Sequence, residues 1–187
     1  MSNTNRFVLT HRSCRRLGQV GFTLIELIVT IAIGTLMMMV AAPSYTQFQR
    51  NAQVSEAASS FIAAANTARA NAMKQGLNTY LIPNIGTSWN SGWLVFTDSD
   101  SNQVFTEGTD EVLLRHEAIS ADVTITTPGA SSLASGSLLF NGSGSPRLKA
   151  GGFSQATMVM RNVSRSSSII VDLAGRVRSC RTDTTGC

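Results

Sequence analysis

The hydrophobic pattern changes character twice along the chain. Residues 22–42, "FTLIELIVTIAIGTLMMMVAA", are apolar on every face apart from three threonines and Glu26. As a helix this run spans roughly 30 Å, the hydrocarbon thickness of a bilayer. Past Pro43 the helical period continues with only one apolar face. Val54, Ala58, Phe61, Ala65, Ala68 and Ala72 step by four, three, four, three and four, which aligns them on one stripe. Gln49, Arg50, Gln53, Glu56 and Lys74 fall largely outside it. Small alanines on the stripe let a sheet approach closely, and Gly76 after Lys74 and Gln75 reads as a C-cap.

From Thr79 the period drops to that of short strands separated by turn residues. The runs are "TYLIP" (79–83), "GWLVFTD" (92–98), "EVLLRHE" (111–117), "DVTITT" (122–127), "SLLF" (137–140), "TMVMRN" (157–162), "SSIIVDL" (167–173) and "RVRSC" (176–180). Gly/Ser-rich stretches at 128–137 and 141–146 interrupt them, and neither a repeat nor a second boundary is evident. The pattern predicts an α+β chain: a long N-terminal helix whose second half packs on an antiparallel sheet.

Charge sharpens this picture. The formal net charge is +4, yet Arg6, Arg12, Arg15 and Arg16 all precede residue 21, where no acidic residue occurs. The remaining chain holds eleven basic and eleven acidic residues, unevenly placed. Residues 89–122 carry seven acids and one arginine, whereas 147–187 carry seven basic residues against Asp172 and Asp183. An electrostatic function therefore belongs to the C-terminal part.

The N-terminal run is too long, and too acidic at Glu26, for an ordinary cleaved signal. A plain anchor fits its length but leaves Glu26 without a purpose, because an intramembrane carboxylate costs about 2.5–3.5 kcal/mol. "GFTLIELIVTIAIGTLMMMVAAPSYTQ" resembles the N-terminus of a type IV prepilin, the class of type IV pilus subunits and type II secretion pseudopilins. The resemblance implies cleavage by a prepilin peptidase after Gly21 and N-methylation of Phe22. The basic leader (1–21) would stay inside, as the positive-inside rule asks. Glu26 becomes the fifth mature residue, implied to pair with the terminal ammonium of a neighbouring subunit in the filament core. Residues 22–48 would form the membrane and filament-core helix, and 49–187 a periplasmic, later extracellular, pilin domain. The implied location is single-pass in the bacterial inner membrane before assembly, then the filament.

The order "GWLVFTDSDSN", "EVLLRHEAI", "LLFNGSGSPR", "SIIVDLAGRVRSC" resembles the GspH/FimT family of minor pilins and pseudopilins. With the leader, this likeness covers nearly the whole chain. Its implied partners are other major and minor pilins.

Few residues suggest catalysis, and neither an enzyme nor a cofactor is implied. His11 lies in the leader, and His116 stands alone in a strand-like run. "DSDSN" places Asp98, Asp100 and Asn102 at the first ligand spacings of a calcium loop, but Gln103 and Thr109 stand where that loop needs Gly and Glu. Glu107 or Asp110 are alternative completions; an Asx-type turn without metal is the favoured expectation. Cys14 leaves with the leader. Cys180 and Cys187 then remain, in an oxidising compartment where an even pair favours a disulfide.

The arginines carry the remaining chemistry. If "RVRSC" is a strand, Arg176 and Arg178 share a face, Gly175 provides the turn into it, and Arg181 follows on the disulfide loop. Guanidinium groups match phosphate oxygens and contact a nucleic-acid backbone without reading sequence. Gly175–Arg178 resembles the Gly-Arg-x-Arg of FimT-type minor pilins, which implies double-stranded DNA as partner for uptake in natural transformation. Arg147 and Lys149 are further candidate contacts. Three alternatives stay open: arginines that guard an edge strand, salt bridges to a neighbouring pilin, and a GspH-like pseudopilin that primes assembly without touching DNA.

Overall fold

The computed structural model describes residues 21–129 and 131–181. The first helix starts at Thr23, whose hydroxyl accepts the Glu26 main-chain N–H at 3.3 Å, satisfying one of the donors that a helix start leaves orphaned. Helix α1 runs Leu24–Gln75. Contacts divide the chain into two units, Met1–Ala42 and Pro43–Cys187.

In the first unit the large apolar side chains are exposed, from Phe22 to Val40. The threonine hydroxyls are satisfied inside the helix: Thr30 donates to Leu27 O at 2.9 Å and Thr35 to Ala32 O at 2.8 Å. That arrangement suits an apolar surround, where a polar group must find its partner within the segment. Among the described residues no single unbroken helix is long and apolar enough to cross a membrane; the two segments of α1, Leu24–Val40 and Ala42–Gln75, which meet at a break, together have the length and composition. The Glu26 carboxylate makes no hydrogen bond or ion pair among the described residues.

In the second unit the expected stripe is the buried one. Val54, Ala58, Phe61, Ala65, Ala68 and Ala72 are all buried, with Ala57 and Ala64 alongside. Phe61 meets Trp89 and Trp93 edge-on, at 5.4 and 5.3 Å between centroids. Gly76 ends the helix at φ +72°, its N–H on Ala72 O at 2.8 Å, the left-handed C-terminal position that glycine takes at least cost.

The strands are β1 Thr79–Ile85, β2 Ser88–Thr97, β3 Glu111–His116, β4 Thr124–Thr126, β5 Leu138–Phe140, β6 Pro146–Arg147, β7 Ala156–Arg161, β8 Ser166–Val171 and β9 Val177–Arg181. They form two antiparallel sheets where the sequence suggested one, ordered β3-β2-β1-β5-β6 and β4-β7-β8-β9. One core joins the helix alanines to Trp93, Val95 and Phe140 of the first sheet and Met158, Met160, Ile169 and Val171 of the second. A smaller cluster of Tyr80, Leu94, Phe96 and Leu139 packs Phe105 and Ile82 against it. Two elements went unread in the sequence. The Gly/Ser-rich 128–137 stretch contains a 3-10 turn, Ser132–Ser135, whose buried Leu133 accepts Trp89 Nε1–H at 2.9 Å. Strand β6 has two residues, too few to show a period.

Arg69 locks the helix to two loops. Its Nε donates to Gly144 O and its Nη2 to Ala174 O, each at 3.0 Å. Gly175, next in the chain, is buried and sits at φ +78°. A Cβ there would collide with Gly144 O and lie 2.9 Å from Arg69 Nε. Gly175→Ala is expected to cost at least about 2 kcal/mol, from backbone strain and overpacking together. A urea denaturation midpoint unchanged by this substitution would contradict that packing.

Candidate functional site

Strand parity decides which arginines act together. Ala156, Met158 and Met160 of β7 and Ile169 and Val171 of β8 enter the core. Val177, opposite Val171, packs against the same cluster. Arg178 pairs with Ile170 and therefore faces outward; it is exposed and has no ion pair among the described residues. Arg176 precedes β9 by one residue, so it lies in the turn rather than in the strand where "RVRSC" was expected to place it, and it too is exposed.

Arg176 is also part of the turn. Its main-chain N–H donates to Asp172 Oδ1 at 2.9 Å, and its Nε donates to Asp172 Oδ2 at 2.8 Å. Ala174 N–H adds a third bond to Asp172 Oδ1, at 3.0 Å. The Arg176 backbone hydrogen bond holds the Asp172 carboxyl below its ordinary pKa; desolvation opposes it, and the Arg176 guanidinium and the Ala174 N–H add to the lowering. The Arg176 side chain is nonetheless 80% exposed, so this ion pair is well solvated and easily exchanged.

The other expected members fall elsewhere. Arg181 lies three residues past Arg178, an odd step that turns it to the opposite face of β9; it lines a recess with Arg161 and Arg165. The expected group of three is thus divided by strand period. Arg147 stacks over the Phe153 ring at 4.0 Å, and Lys149 Nζ donates to Gln103 O at 2.9 Å. Arg147 belongs to β6, in the other sheet. Cys180 is half-buried opposite Ser168; Cys187, and with it the expected bridge, lies outside the described residues. So do residues 1–20, which include Arg6, His11 and Cys14. Gly21 and Phe22 are exposed and precede the helix.

The acidic loop is knitted by its own backbone. Asp98 accepts Asn102 N–H at 3.1 Å and Gln103 N–H at 3.0 Å. Asp110 accepts Ser99 N–H at 3.0 Å and Thr106 N–H at 2.7 Å. Oxygens of Asp98, Asp100 and Asp110 lie within 4.8 Å of one another, yet both oxygens of the two buried carboxylates are already taken by N–H donors. Below the loop, burial first and Asp98 second push the Tyr80 pKa up to about 12, so its hydroxyl stays neutral at physiological pH. His116 is not a freely exposed strand residue: its ring stacks on Trp93 at 4.2 Å between centroids, and Nδ1 lies 2.7 Å from Glu117 O.

Sequence reading missed Arg69 and the Arg161–Arg165–Arg181 recess. The spacing of Arg161 and Arg165 around the turn "NVS" was the signal available for the second.

The architecture is the type IV pilin fold. It is shared with the type IV minor pilin FimU of Pseudomonas aeruginosa, at a TM-score of 0.55 and 17% identity over 70% of this chain and 90% of that one. It is also similar to the minor pseudopilin EpsH from the type 2 secretion system of Vibrio cholerae, at 0.52 and 8% identity over 71% and 99%. Identities this low speak for the fold alone. No curated protein sequence matches the chain. Residues 18–42 match the prokaryotic N-terminal methylation motif. Fold and motif together define a pilin-like subunit with a prepilin N-terminus. Residues 57–175 match the family described as Type II transport protein GspH, and the chain belongs to that family of minor pilins and pseudopilins.

The knitted loop gives a direct expectation. Asp110→Ala should destabilise the fold by about 1 kcal/mol, since it strips the acceptor from two partly buried N–H groups. Thermal denaturation of the parent chain should be indifferent to calcium or EDTA; a calcium-dependent rise in Tm would assign the loop to a metal instead.

Proposed function

We propose that this chain is a minor type IV pilin that enters the pilus and holds double-stranded DNA weakly and without sequence preference, for uptake in natural transformation. The observation that carries this reading is the pair of exposed arginines at the start of β9: Arg176 in the turn that Asp172, Gly175 and Arg69 hold, and Arg178 on the outward face of the strand. Fixed guanidinium groups lose less freedom on meeting phosphate than a floppy tail would. The exposed Arg176–Asp172 pair opposes binding only modestly, because a phosphate can replace the carboxylate. Arg181 is assigned to the neighbouring recess, and Arg147 and Lys149 are left out of the contact surface.

The same reading includes the processing steps. Prepilin peptidase cuts between Gly21 and Phe22 and methylates Phe22. The apolar helix holds the subunit in the inner membrane until other pilins draw it into the filament. Cys180 and Cys187 close a short loop beside β9. Glu26, unpartnered among the described residues, pairs with a neighbour's terminal ammonium in the filament, where a lone carboxylate would be costly. Glu26→Gln should leave membrane insertion intact and abolish recovery of the subunit in sheared filaments. Recovery at the parent level would remove the assembly role.

Arg178→Gln should weaken DNA binding at low salt and lower the salt slope by roughly one, the share of one phosphate contact. Asp172→Asn keeps the acceptor for the Arg176 N–H and removes the opposing charge, so it should tighten binding. Filter binding over a salt series reads both. Unchanged affinity in both variants would favour the alternative, a structural minor pilin or GspH-like pseudopilin that primes assembly. Loss of transformation with intact pilus-dependent motility in Arg178→Gln would support the DNA role in cells.

A further inference from the structure

The β7–β8 hairpin builds a second basic site, at the opposite end of β8 from the turn that carries Arg176. Its turn is closed by Asn162, whose Oδ1 accepts Ser164 N–H at 2.9 Å and Arg165 N–H at 2.7 Å. The same residue bolts the turn to the helix: Asn162 Nδ2 donates to Arg50 O at 2.7 Å, and Ser164 Oγ donates to Asn51 Oδ1 at 2.9 Å. Arg161 and Arg165 are thereby held on either side of the turn, and Arg181 reaches the same place from the end of β9. With Asn51, Ser164 and Ser166 these arginines line an open recess of about 540 Å³.

The chemistry of the lining is one-sided. The described lining residues include three arginines, two serines and two asparagines and no carboxylate; Arg181 and Ser166 are already engaged, so Arg161 and Arg165 are the cations the recess offers. The nearby ion pair of Arg50 with Asp122, at 3.7 Å, leaves Asp122 engaged elsewhere. Arg161 and Arg165 have no carboxylate partner among the described residues. Two guanidinium forks on either side of one tight turn suit a tetrahedral oxyanion. The recess would accommodate the phosphate group of a larger molecule.

Two placements favour a lipid as that molecule. Asn51 follows Pro43 by eight residues, about 12 Å of helix, and the apolar run ends at Ala42. The site therefore belongs to the first turns after the segment read as membrane-embedded. Val163, at the tip between Arg161 and Arg165, is 96% exposed. An apolar tip flanked by cations is the composition of a segment that rests on an anionic membrane surface.

We propose that this recess binds the phosphodiester of an anionic phospholipid headgroup while the subunit is still in the membrane. The inference rests on the membrane-anchored reading of residues 22–42. The site steadies the globular unit before assembly and must release its lipid when the subunit leaves.

The test uses the full chain in nanodiscs, with hydrogen exchange of the 161–166 amides as readout. Discs of phosphatidylglycerol should slow this exchange at least several-fold relative to phosphatidylcholine, and the Arg161→Gln/Arg165→Gln double variant should lose the difference. Equal exchange in the two lipids, or a difference that survives in the double variant, overturns the proposal. Slowing by inorganic phosphate in phosphatidylcholine discs, with none from phosphatidylglycerol, would make the site one for free phosphate. Slowing by double-stranded DNA alone would make it part of the DNA surface. Co-flotation with both kinds of disc checks the anchor separately: a chain that enters neither overturns the anchored reading and this inference with it. Far-ultraviolet circular dichroism of the double variant establishes that it is folded.

Discussion

The globular unit depends on how closely one helix can lie against two sheets. Alanine at positions 57, 58, 64, 65, 68 and 72 keeps the helix surface low, so that sheet side chains fill the interface from their side. Phe61 is the exception, the one large side chain fully buried between Ala57 and Ala72, and two tryptophans of the first sheet meet it edge-on. A larger side chain at an alanine position would push the sheets outward, since a packed interior has little slack. The same closeness lets Arg69, on the flank of the stripe, reach carbonyls of two separate loops. The turn before β9 owes its shape to that reach, and the outward arginines owe their position to the turn.

The helix also meets two environments in succession. Before Pro43 it is apolar all round and its hydroxyls bond back to its own carbonyls. After Pro43 one stripe of alanines, from Ala57 to Ala72, faces protein, and most of its charged residues face water. Glu26 belongs to neither arrangement, which fits a group whose partner arrives with another subunit. The β7–β8 hairpin, bolted to Arg50 and Asn51, stands close after the change from one environment to the other.

Most of the fold was legible because period reports burial. The stripe from Val54 to Ala72 and the eight strand runs follow from side-chain spacing alone, and they reappear within a few residues of their expected ends. Short elements escaped: β6 spans two residues, and the 3-10 turn at Ser132 hides in a Gly/Ser-rich stretch that reads as loop. At the site, parity puts Arg178 on the outward face of β9, while Arg176 falls one residue before the strand, in the turn. Parity also separates Arg181 from Arg178, a consequence already present in the odd spacing. Long-range partners had no local signal. Nothing near Arg69 in sequence says that it bonds residues 75 and 105 positions away. Nor could a run of aspartates reveal that their oxygens are filled by the loop's own N–H groups.

Gly175 and Arg178 stand together as one short signature, yet they answer to different demands. The glycine is required by a carbonyl of another loop pressing where a side chain would be, and this holds whatever the filament does. The arginine is free of any such structural duty. A chain of this architecture could therefore trade Arg178 for another exposed residue and keep its shape, whereas replacing Gly175 would disturb the turn itself. The pair is a composite mark: its first letter identifies the fold, and only its last speaks of what the surface touches.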